Sequence, residues 1–447
     1  MKSETTLFVF VFFMFFFLCN SLSAQSLFDK AEAGSKDKDI SYELNGYLRS
    51  TLFIGKVPYK SEGEIKSGYG EASLKLRVRK GMFGDAFAEM RFRRGYEFNE
   101  SISELNLREA YVNAYVGPFD FRIGHQIVAW GRADGFNPTD NITPKNMLSR
   151  SQDEDDRREG NFLIRSYYNL NPVRFEAIWI PFFRSSVVPT NLLPFPSGIT
   201  LIDSDYPGAN LKNSTFALRL NLEQPSFDGS LSYFNGHNPF PGITANLPSS
   251  ILDVISLDIF LKSYRMHVFG ADFSTTVAGS FGLRGEVGYR RPHGDYESNI
   301  SIPNPDLQYV VGIDKEFPGN FNVILQYIGR YVFDFTGLEE PDSPFEFPLY
   351  ELELKNRMIT SQQYKLGHSV SCRAEKKLLH ETLKIEVLGM LNLTSEEFLL
   401  RPKLTYDIAD GITFILGGEL YSGPDDTLFG AIDSHLSAFF TELKVSF

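Results

Sequence analysis

Cysteine is almost absent from this chain of 447 residues, which contains only Cys19 and Cys372. Cys19 lies in a hydrophobic amino-terminal segment of the kind that is removed after export, so that Cys372 alone would remain. One cysteine forms neither an internal disulfide bond nor a cysteine-based metal cluster. Together with seven scattered histidines, this predicts no resident metal and no other cofactor.

Long apolar stretches are missing beyond the first residues. After residue 18 no segment approaches the roughly 18 consecutive apolar residues of a membrane-spanning helix, and the mean hydropathy is −0.18. Basic charge is also scarce, because 44 lysines and arginines stand against 56 aspartates and glutamates and leave a formal net charge of −12. A nucleic-acid binder needs a basic surface, so the charge predicts no nucleic-acid partner.

The sequence motifs of common enzyme classes are absent as well. There is no G-x-S-x-G elbow, no H-E-x-x-H helix and no P-loop. We therefore predict that the chain is not an enzyme. Barrels that act as phospholipases or proteases assemble their catalytic groups from separate strands, which leaves that alternative open.

The amino terminus has the pattern of a secretory signal peptide. Lys2 precedes an apolar run of about 12 residues at positions 7–18, which is too short to span a membrane. Small residues follow and end at Ala24, after which we predict cleavage. Residues 1–24 are thus the predicted signal peptide, and residues 25–40 are a short, charged periplasmic segment with no room for a plug domain.

Residues 41–447 alternate between apolar and polar side chains. In the first segment Leu44, Leu48 and Leu52 share one face, whereas polar residues such as Arg49 occupy the other. A helix would mix these residues on its faces, but a strand separates them. Eighteen segments of this kind fit the sequence, and 14% of the residues are aromatic, as is common in strands and at membrane interfaces.

The links between these segments alternate in length. Short links such as Gly117-Pro118 and Asn171-Pro172 have turn-forming residues, and long links such as 131–160 and 184–213 lie between them. Short periplasmic turns and long outer loops are typical of outer-membrane barrels, whose strands close into a ring so that every backbone group has a partner. We predict an all-β, transmembrane antiparallel β-barrel of about 18 strands, with 16 as the alternative, over residues 41–447.

The chain ends on an alternating strand whose last residue is Phe447. Phe439, Leu443 and Val445 share the face of Phe447, and polar residues occupy the other face. A terminal phenylalanine on such a strand resembles the signal that the barrel assembly machinery reads in outer-membrane proteins. We therefore expect this machinery, outer-membrane lipid and lipopolysaccharide as partners, in the outer membrane of a Gram-negative-type cell envelope.

The polar faces of the strands would line the lumen, and several of them carry cations. The predicted basic ladder consists of Lys75, Arg77, Arg79, Arg91, Arg93 and Arg122. Cations in a wall of low dielectric attract anions and raise their local concentration. The alternative is that these side chains pair with glutamates on neighbouring strands and make the wall rigid.

The long link at 131–160 contains an acidic cluster, formed by Asp153, Glu154, Asp155 and Asp156. Outer loops of porins often fold inward and narrow the channel, so this loop is a candidate constriction. Its carboxylates either face basic residues of the wall or bind divalent cations, for which carboxylate oxygens are suitable ligands. An acidic loop that contacts only solvent is the third interpretation.

A sequence motif begins just before this loop. It consists of Gly124, Gln126, Trp130 and Gly131, followed by Asn137, Pro138 and Asp140. The spacing G-x-Q-x-x-x-W-G with a later N-P-x-D is similar to a segment in a porin-like family of bacterial outer-membrane barrels of unknown function. The resemblance implies a barrel and implies no catalytic residues. His125 stands where that family usually has arginine or lysine.

We therefore predict a porin-like channel for passive diffusion of small polar or anionic solutes. The resemblance implies a second candidate, because some family members are associated with export of lipidic or hydrophobic compounds. Lateral openings and apolar lumen residues would favour this second function, and a continuous polar lumen would favour the first. The third candidate is a structural barrel whose long loops plug the pore. The sequence indicates no oligomeric state.

Overall fold

The computed structural model describes residues 40–57, 60, 62–98, 100–190, 199–246, 257–294, 296, 299–343 and 346–447. The predicted signal peptide and almost all of the segment 25–40 lie outside these residues.

Eighteen strands form one closed antiparallel sheet, and a separate three-stranded sheet accompanies it. In chain order the strands are β1 (Ile40–Lys56), β2 (Gly63–Lys80), β3 (Gly84–Glu97), β4 (Glu100–Val116), β5 (Phe119–Gln126), β6 (Asn161–Leu170), β7 (Val173–Ile180), β8 (Ile199–Leu201), β9 (Thr215–Gln224), β10 (Phe227–His237), β11 (Gly242–Ala245), β12 (Leu257–Lys262), β13 (Arg265–Val277), β14 (Phe281–Pro292), β15 (Asp306–Phe317), β16 (Phe321–Val332), β17 (Leu366–Leu378), β18 (Leu383–Asn392), β19 (Glu397–Ala409), β20 (Ile412–Ser422) and β21 (Ala438–Ser446). Strands β8, β11 and β12 form the small sheet, and the other eighteen form the barrel. The predicted count of 18 is confirmed.

The barrel strands separate apolar from polar side chains as the alternation predicts. Along β1, Leu44 and Leu48 are exposed on the outside, whereas Arg49 and Thr51 are buried inside. The same division holds on β21, where Leu443 lies outside and Glu442 is buried inside. An exterior of apolar side chains suits contact with lipid, and closure leaves no strand edge without a partner.

The connections divide by length between the two ends of the barrel. Eight turns of two to four residues lie at one end, which is also where β1 begins and β21 ends. The opposite end carries most of the long loops, including 127–160, 181–214 and 333–365. Three of its nine connections are short, because β1–β2, β3–β4 and β18–β19 form tighter hairpins there. In an outer-membrane protein this end would face outward.

Strand β2 runs through Gly68-Tyr69-Gly70, although glycines weaken a strand. Tyr69 compensates for this, because its buried hydroxyl donates a hydrogen bond of 2.7 Å to the carbonyl oxygen of Arg150 inside the barrel. Packing of this inward side chain outweighs the weak strand preference of the flanking glycines.

Within the described ranges, the long loops contain two α-helices, which the strand pattern does not predict. They are α1 (Phe347–Thr360) and α2 (Leu428–Leu436). In the described part of the chain, no helix is long and apolar enough to cross a membrane. Each helix instead packs its apolar side chains in a loop cluster, such as Ala431 and Ile432 of α2 against Tyr421.

The last residue extends the pairing of β1 with β21 that closes the barrel. The amide of Phe447 donates to the carbonyl oxygen of Gly46, and the amide of Gly46 donates to that of Phe447, both over 3.0 Å. The Phe447 ring lies directly against Gly46, since a Cβ built on this glycine would be 2.6 Å from the ring. Phe447 therefore contributes both backbone pairing and an exposed ring on the outer face.

These two contributions of Phe447 are separable by mutation. Phe447→Ser keeps the backbone but removes the ring, whereas deletion of the residue removes both. If the ring is the assembly signal, both variants are expected to lower the yield of barrel in the outer membrane severely. The yield is measured from the heat-modifiable band in membrane fractions. Phe317→Ser removes another exposed ring and is expected to assemble normally; assembly of Phe447→Ser at the wild-type level would contradict the role of the ring.

Candidate pore constriction

The connection between β5 and β6, residues 127–160, lies inside the barrel. We refer to it as the inner loop. It forms hydrogen bonds, through side chains or backbone, with wall residues as far apart as Arg49 on β1, Glu286 on β14 and Arg373 on β17. Because these strands lie on different sides of the barrel, the inner loop crosses the lumen and narrows it.

One side of the inner loop packs on an apolar part of the inner wall. Val128, Trp130 and Ile142 are at most 2% exposed and belong to one cluster of buried side chains. Their partners in the wall and adjoining loop are Leu163, Ile178, Ile180, Ala217, Phe234, Tyr264, Met266 and Val268. Burial of each large side chain contributes roughly 2 kcal/mol. The prediction that polar faces line the lumen is therefore wrong where the inner loop covers the ends of β6 to β13 nearest the long loops. Farther along the same inner wall the residues are polar, as in the pair Arg165–Glu176 at 2.6 Å.

Glu286 of β14 holds the start of the inner loop. Its carboxylate accepts hydrogen bonds from the amides of Arg132 and Thr139 at 3.0 and 2.8 Å, and from the Thr139 hydroxyl at 2.8 Å. Gly131 makes this approach feasible, because a Cβ there would lie 2.6 Å from Glu286 Oε2. Gly131 also has φ +103°, which favours glycine. Glu286 is not among the predicted site residues. It belongs to a distant strand, so the sequence motif gives no indication that it anchors the inner loop.

The remaining motif residues shape the turns of the same segment. Gln126 is fully buried, and its side-chain amide donates to the carbonyl oxygen of Leu163 over 3.1 Å. The Asp140 carboxylate accepts from the Trp130 amide at 3.3 Å and from Arg158 at 2.7 Å.

Three further motif residues act through the backbone. Asn137 accepts the Asp140 amide at 3.1 Å, and Pro138 accepts the side chain of Asn141 at 2.9 Å. Gly124 has φ +136°, and a Cβ there would be 2.8 Å from the Cα of Tyr111 on β4. The motif therefore builds the fold of the inner loop.

Asp156 anchors the acidic part of the inner loop to the opposite wall. Its carboxylate oxygens lie 2.6 Å from Arg49 and 2.7 Å from Arg91, and the Ser151 hydroxyl donates to it over 2.6 Å. Burial alone would raise the pKa of Asp156, but the two arginines and this hydrogen bond lower it below the ordinary value. Asp156 thus remains ionised and paired with the wall.

A β-bulge supplies a third arginine to this part of the inner loop. The register between β3 and β4 shifts at Glu89, which leaves Arg108 as the extra residue of β4. Its guanidinium donates to the carbonyl oxygens of Asp155, Asp156 and Arg158 at 2.7, 3.2 and 3.4 Å. A bulge redirects a side chain in this way at the cost of one regular pairing.

The four acidic residues do not share one partner. Asp153 caps a short 3-10 helix, Glu154–Arg157, by accepting the Asp155 amide at 3.1 Å. Glu154 lies 2.5 Å from Arg401 of β19. Asp155 is largely exposed and pairs with Arg158 at 3.0 Å.

In the part of the predicted basic ladder nearer the long loops, carboxylates pair with the cations. Arg91 lies 2.6 Å from Glu89, besides its bond to Asp156. Arg93 pairs with Glu97 at 2.9 Å, and Lys75 lies 4.0 Å from Glu89. Near the short turns, Arg79 pairs with Glu43 at 3.1 Å, and both side chains are about half exposed.

Two ladder residues contact rings or amides. Arg77 lies 5.4 Å from the ring of Phe87. Arg122 donates to the side-chain oxygen of Asn113 over 2.8 Å and stacks 4.3 Å from the ring of Tyr111. Near the short turns, Arg77 and Arg122 thus form no ion pair among the described residues, although the carboxylate of Asp85 lies in the same network and accepts from the Asn113 side chain over 3.0 Å.

A cavity of about 290 Å³ remains between the inner loop and the opposite wall. Its charged lining from the wall consists of Arg373, Glu386, Arg401 and Lys403. Its charged lining from the inner loop consists of Asp134, Lys145, Asp153, Glu154, Asp155 and Arg158. The wall side thus has three cations and one carboxylate, and the loop side has four carboxylates and two cations. This separation of charge creates an electric field across the cavity.

The fold is similar to that of solved outer-membrane barrels. OccAB2 of Acinetobacter baumannii is 10% identical, with 91% of this chain and 97% of that chain covered and a TM-score of 0.52. OccK9 (OpdG) of Pseudomonas aeruginosa is 8% identical, with 91% and 98% covered and a TM-score of 0.52. The outer membrane protein OpdK of the same organism is 11% identical, with 91% and 98% covered and a TM-score of 0.50.

At such identities the similarity establishes the fold, a porin-like closed barrel. No protein-family model and no curated protein matches this sequence.

Proposed function

We propose that this chain is a passive, non-enzymatic channel of the outer membrane for small polar or anionic solutes. The observation that carries the proposal is the charged cavity beside the inner loop, lined by residues such as Arg373, Arg401 and Lys403. The apolar exterior suits lipid, while the cavity presents charged groups to a solute that passes the narrowest part of the lumen.

The outer-membrane location has three independent supports. The amino-terminal sequence has the pattern of a signal peptide, the barrel is closed with an apolar exterior, and OpdK, a protein of the same fold, is an outer membrane protein. We extend the proposal to membership in the porin-like family that the motif resembles. In this family the motif would serve to place an inner loop, as Gly131 does here.

Anion preference follows from where the cations lie. Arg77 and Arg122 lie on β2 and β5 without an ion pair among the described residues, and the wall of the cavity carries a surplus of two positive charges. Anions would be concentrated at both places. The acidic residues of the inner loop reduce the preference, so we expect it to be weak and to allow neutral polar solutes.

Transport of hydrophobic compounds receives less support. The apolar residues of the inner wall, such as Leu163 and Ile178, are at most 2% exposed. They contact the inner loop, and a solute in the lumen would not meet them. A hydrophobic pathway would require this loop to leave its cluster.

Single-channel recording of the refolded protein in a planar bilayer tests the proposal. Stable conductance steps are expected in symmetric KCl. In asymmetric KCl, the sign of the reversal potential is expected to indicate a preference for anions. A well-folded barrel that stays silent would contradict an open channel and support the plugged, structural alternative. A clear cation preference would refute the anionic part of the proposal only.

Lys403 provides a sharper test of selectivity. Lys403→Gln removes one cation of the cavity wall, where Lys403 lies 3.3 Å from Glu386. We expect the reversal potential to shift measurably in the direction of cation preference, because one charge is a large part of the local positive surplus. Lys315→Gln is the matched control, since Lys315 lies over the ring of Phe281 on the outside of the barrel, away from the cavity. Equal shifts in both variants would contradict the assignment of this cavity as the passage.

A further inference from the structure

Two arginines and two histidines lie together on the outside of the barrel at the end with the long loops. They are Arg265 and His267 of β13, Arg291 of β14, and His293 just after β14. We refer to these four residues as the outer patch. Register pairs His267 with Arg291, and the rings of His267 and His293 are 4.0 Å apart. The patch therefore spans two neighbouring strands as one surface.

The outer patch faces away from the lumen. On β13, Met266 and Val268 point inward and are buried, so His267 and Phe269 point outward, and Phe269 is 53% exposed. On β14, Arg290 points inward to the buried Asp306, which places Arg291 outside.

Its charges are not compensated by carboxylates of the described residues. No acidic oxygen there lies within 4.0 Å of a charged nitrogen of the patch. Arg265 donates only to neutral acceptors, the carbonyl oxygens of Lys212 and Ser214 and the side chain of Asn235. The inward arginines differ, since Arg290 lies 2.6 Å from Asp306. Arg291 and His293 are exposed and open to a ligand.

Exposed aromatic rings lie directly below the outer patch, toward the middle of the barrel. The Phe269 ring stacks with Tyr289 of β14 at 6.5 Å and lies tilted against Tyr233 of β10 at 5.1 Å. Aromatic rings of this kind mark the boundary between the apolar layer and the headgroups of a membrane. A ligand of the outer patch would thus have an anionic group at the level of the cations and apolar chains against the rings.

We propose that the outer patch binds a phosphorylated lipid of the outer leaflet, with its phosphate on Arg265, Arg291 and the two histidines. Arginine forms paired hydrogen bonds with phosphate, and imidazole N–H groups add further donors. Charge complementarity and the position above the rings both favour such a lipid over a free anion. The site is separate from the cavity of the proposed channel.

Native mass spectrometry of the full barrel in detergent tests this site. The probes are lipid A with its phosphates, the same lipid without phosphates, and inorganic phosphate. The wild type is expected to retain phosphorylated lipid A and to bind the other two much more weakly. Arg291→Gln/His293→Gln should lower the affinity for phosphorylated lipid A at least about fivefold, because one arginine near an anionic lipid surface contributes about 1 kcal/mol, or about fivefold in affinity, and the variant also loses the His293 donor.

Lys56→Gln is the matched control, since Lys56 is exposed at the outer end of β1, on the opposite side of the barrel. It should bind lipid A as the wild type does. An equal loss in Lys56→Gln, or unchanged binding by the double variant, would overturn the site. Equal binding of inorganic phosphate and lipid A would reduce it to a phosphate site. Both variants should conduct as the wild type does. A negative result for lipid binding would therefore leave the proposed channel function untouched.

Discussion

Gly131→Ala is expected to raise single-channel conductance several-fold. A methyl group at Gly131 would lie 2.6 Å from Glu286 Oε2 and 2.5 Å from the side-chain oxygen of Asn137. Carbon and oxygen do not approach so closely, so the Glu286 carboxylate and the start of the inner loop must move apart, through either the side chain or the loop. This movement would break the hydrogen bonds from Arg132 and Thr139 to that carboxylate, each worth about 1.5–3 kcal/mol.

The displaced segment borders the passage itself. Asp134 lines the cavity and lies 2.8 Å from Arg373 of the wall. When the segment leaves Glu286, this cross-link between loop and wall should weaken and the passage should widen. Larger and noisier current steps would result, because the loop would exchange between positions.

Gly135→Ala separates this contact from backbone strain. Gly135 lies in the same loop with φ +83°, so alanine there is strained in a similar way, but nothing lies within 4 Å of its Cβ position. We expect Gly135→Ala to conduct nearly as the wild type. Equal increases in the two variants would show that strain alone loosens the loop. An unchanged conductance in Gly131→Ala would contradict the anchoring role of Glu286.

The barrel was predictable because the same physical requirements apply to each strand in turn. Every strand must place apolar side chains toward lipid and pair with two neighbours, so alternation and turn residues recur eighteen times. The long links were predictable for the same reason. Their internal structure was not, because no periodic rule governs a loop whose partners are scattered over the wall, such as Glu286 and Arg401.

One signal of the inward fold is present in the sequence. Where the inner loop packs, strands are apolar on both faces, as in Phe162-Leu163-Ile164 of β6 and Ile178-Trp179-Ile180 of β7. Such strands depart from the simple alternation of a water-filled barrel and indicate a covered inner wall. The bulge at Arg108 has no comparable signal, since it depends on the register between β3 and β4.

Asp156→Asn is expected to detach the acidic end of the inner loop. The neutral amide loses the charge that attracts Arg49 and Arg91, which lie 2.6 and 2.7 Å from the carboxylate. Removal of one partner of a buried ion pair costs about 3 kcal/mol or more. Trypsin added at the loop side should then cleave after Arg157 or Arg158, which the barrel protects in the wild type, and the current noise should rise.

Asp155→Asn is the matched control for this effect. It makes the same chemical change one residue away, but the Asp155 side chain is 77% exposed and pairs only with Arg158, so cleavage should stay slow. Low pH provides the second control. Because Arg49 and Arg91 hold the pKa of Asp156 below its ordinary value, the stabilisation is present above that value and is lost only as pH falls through the lowered pKa. The current noise of the wild type should therefore stay low from pH 7 to about pH 4, near the ordinary pKa of aspartate. Current noise is the readout for this control because trypsin is inactive near pH 4. Release of the wild-type loop within this range would mean that Asp156 is not the anchor.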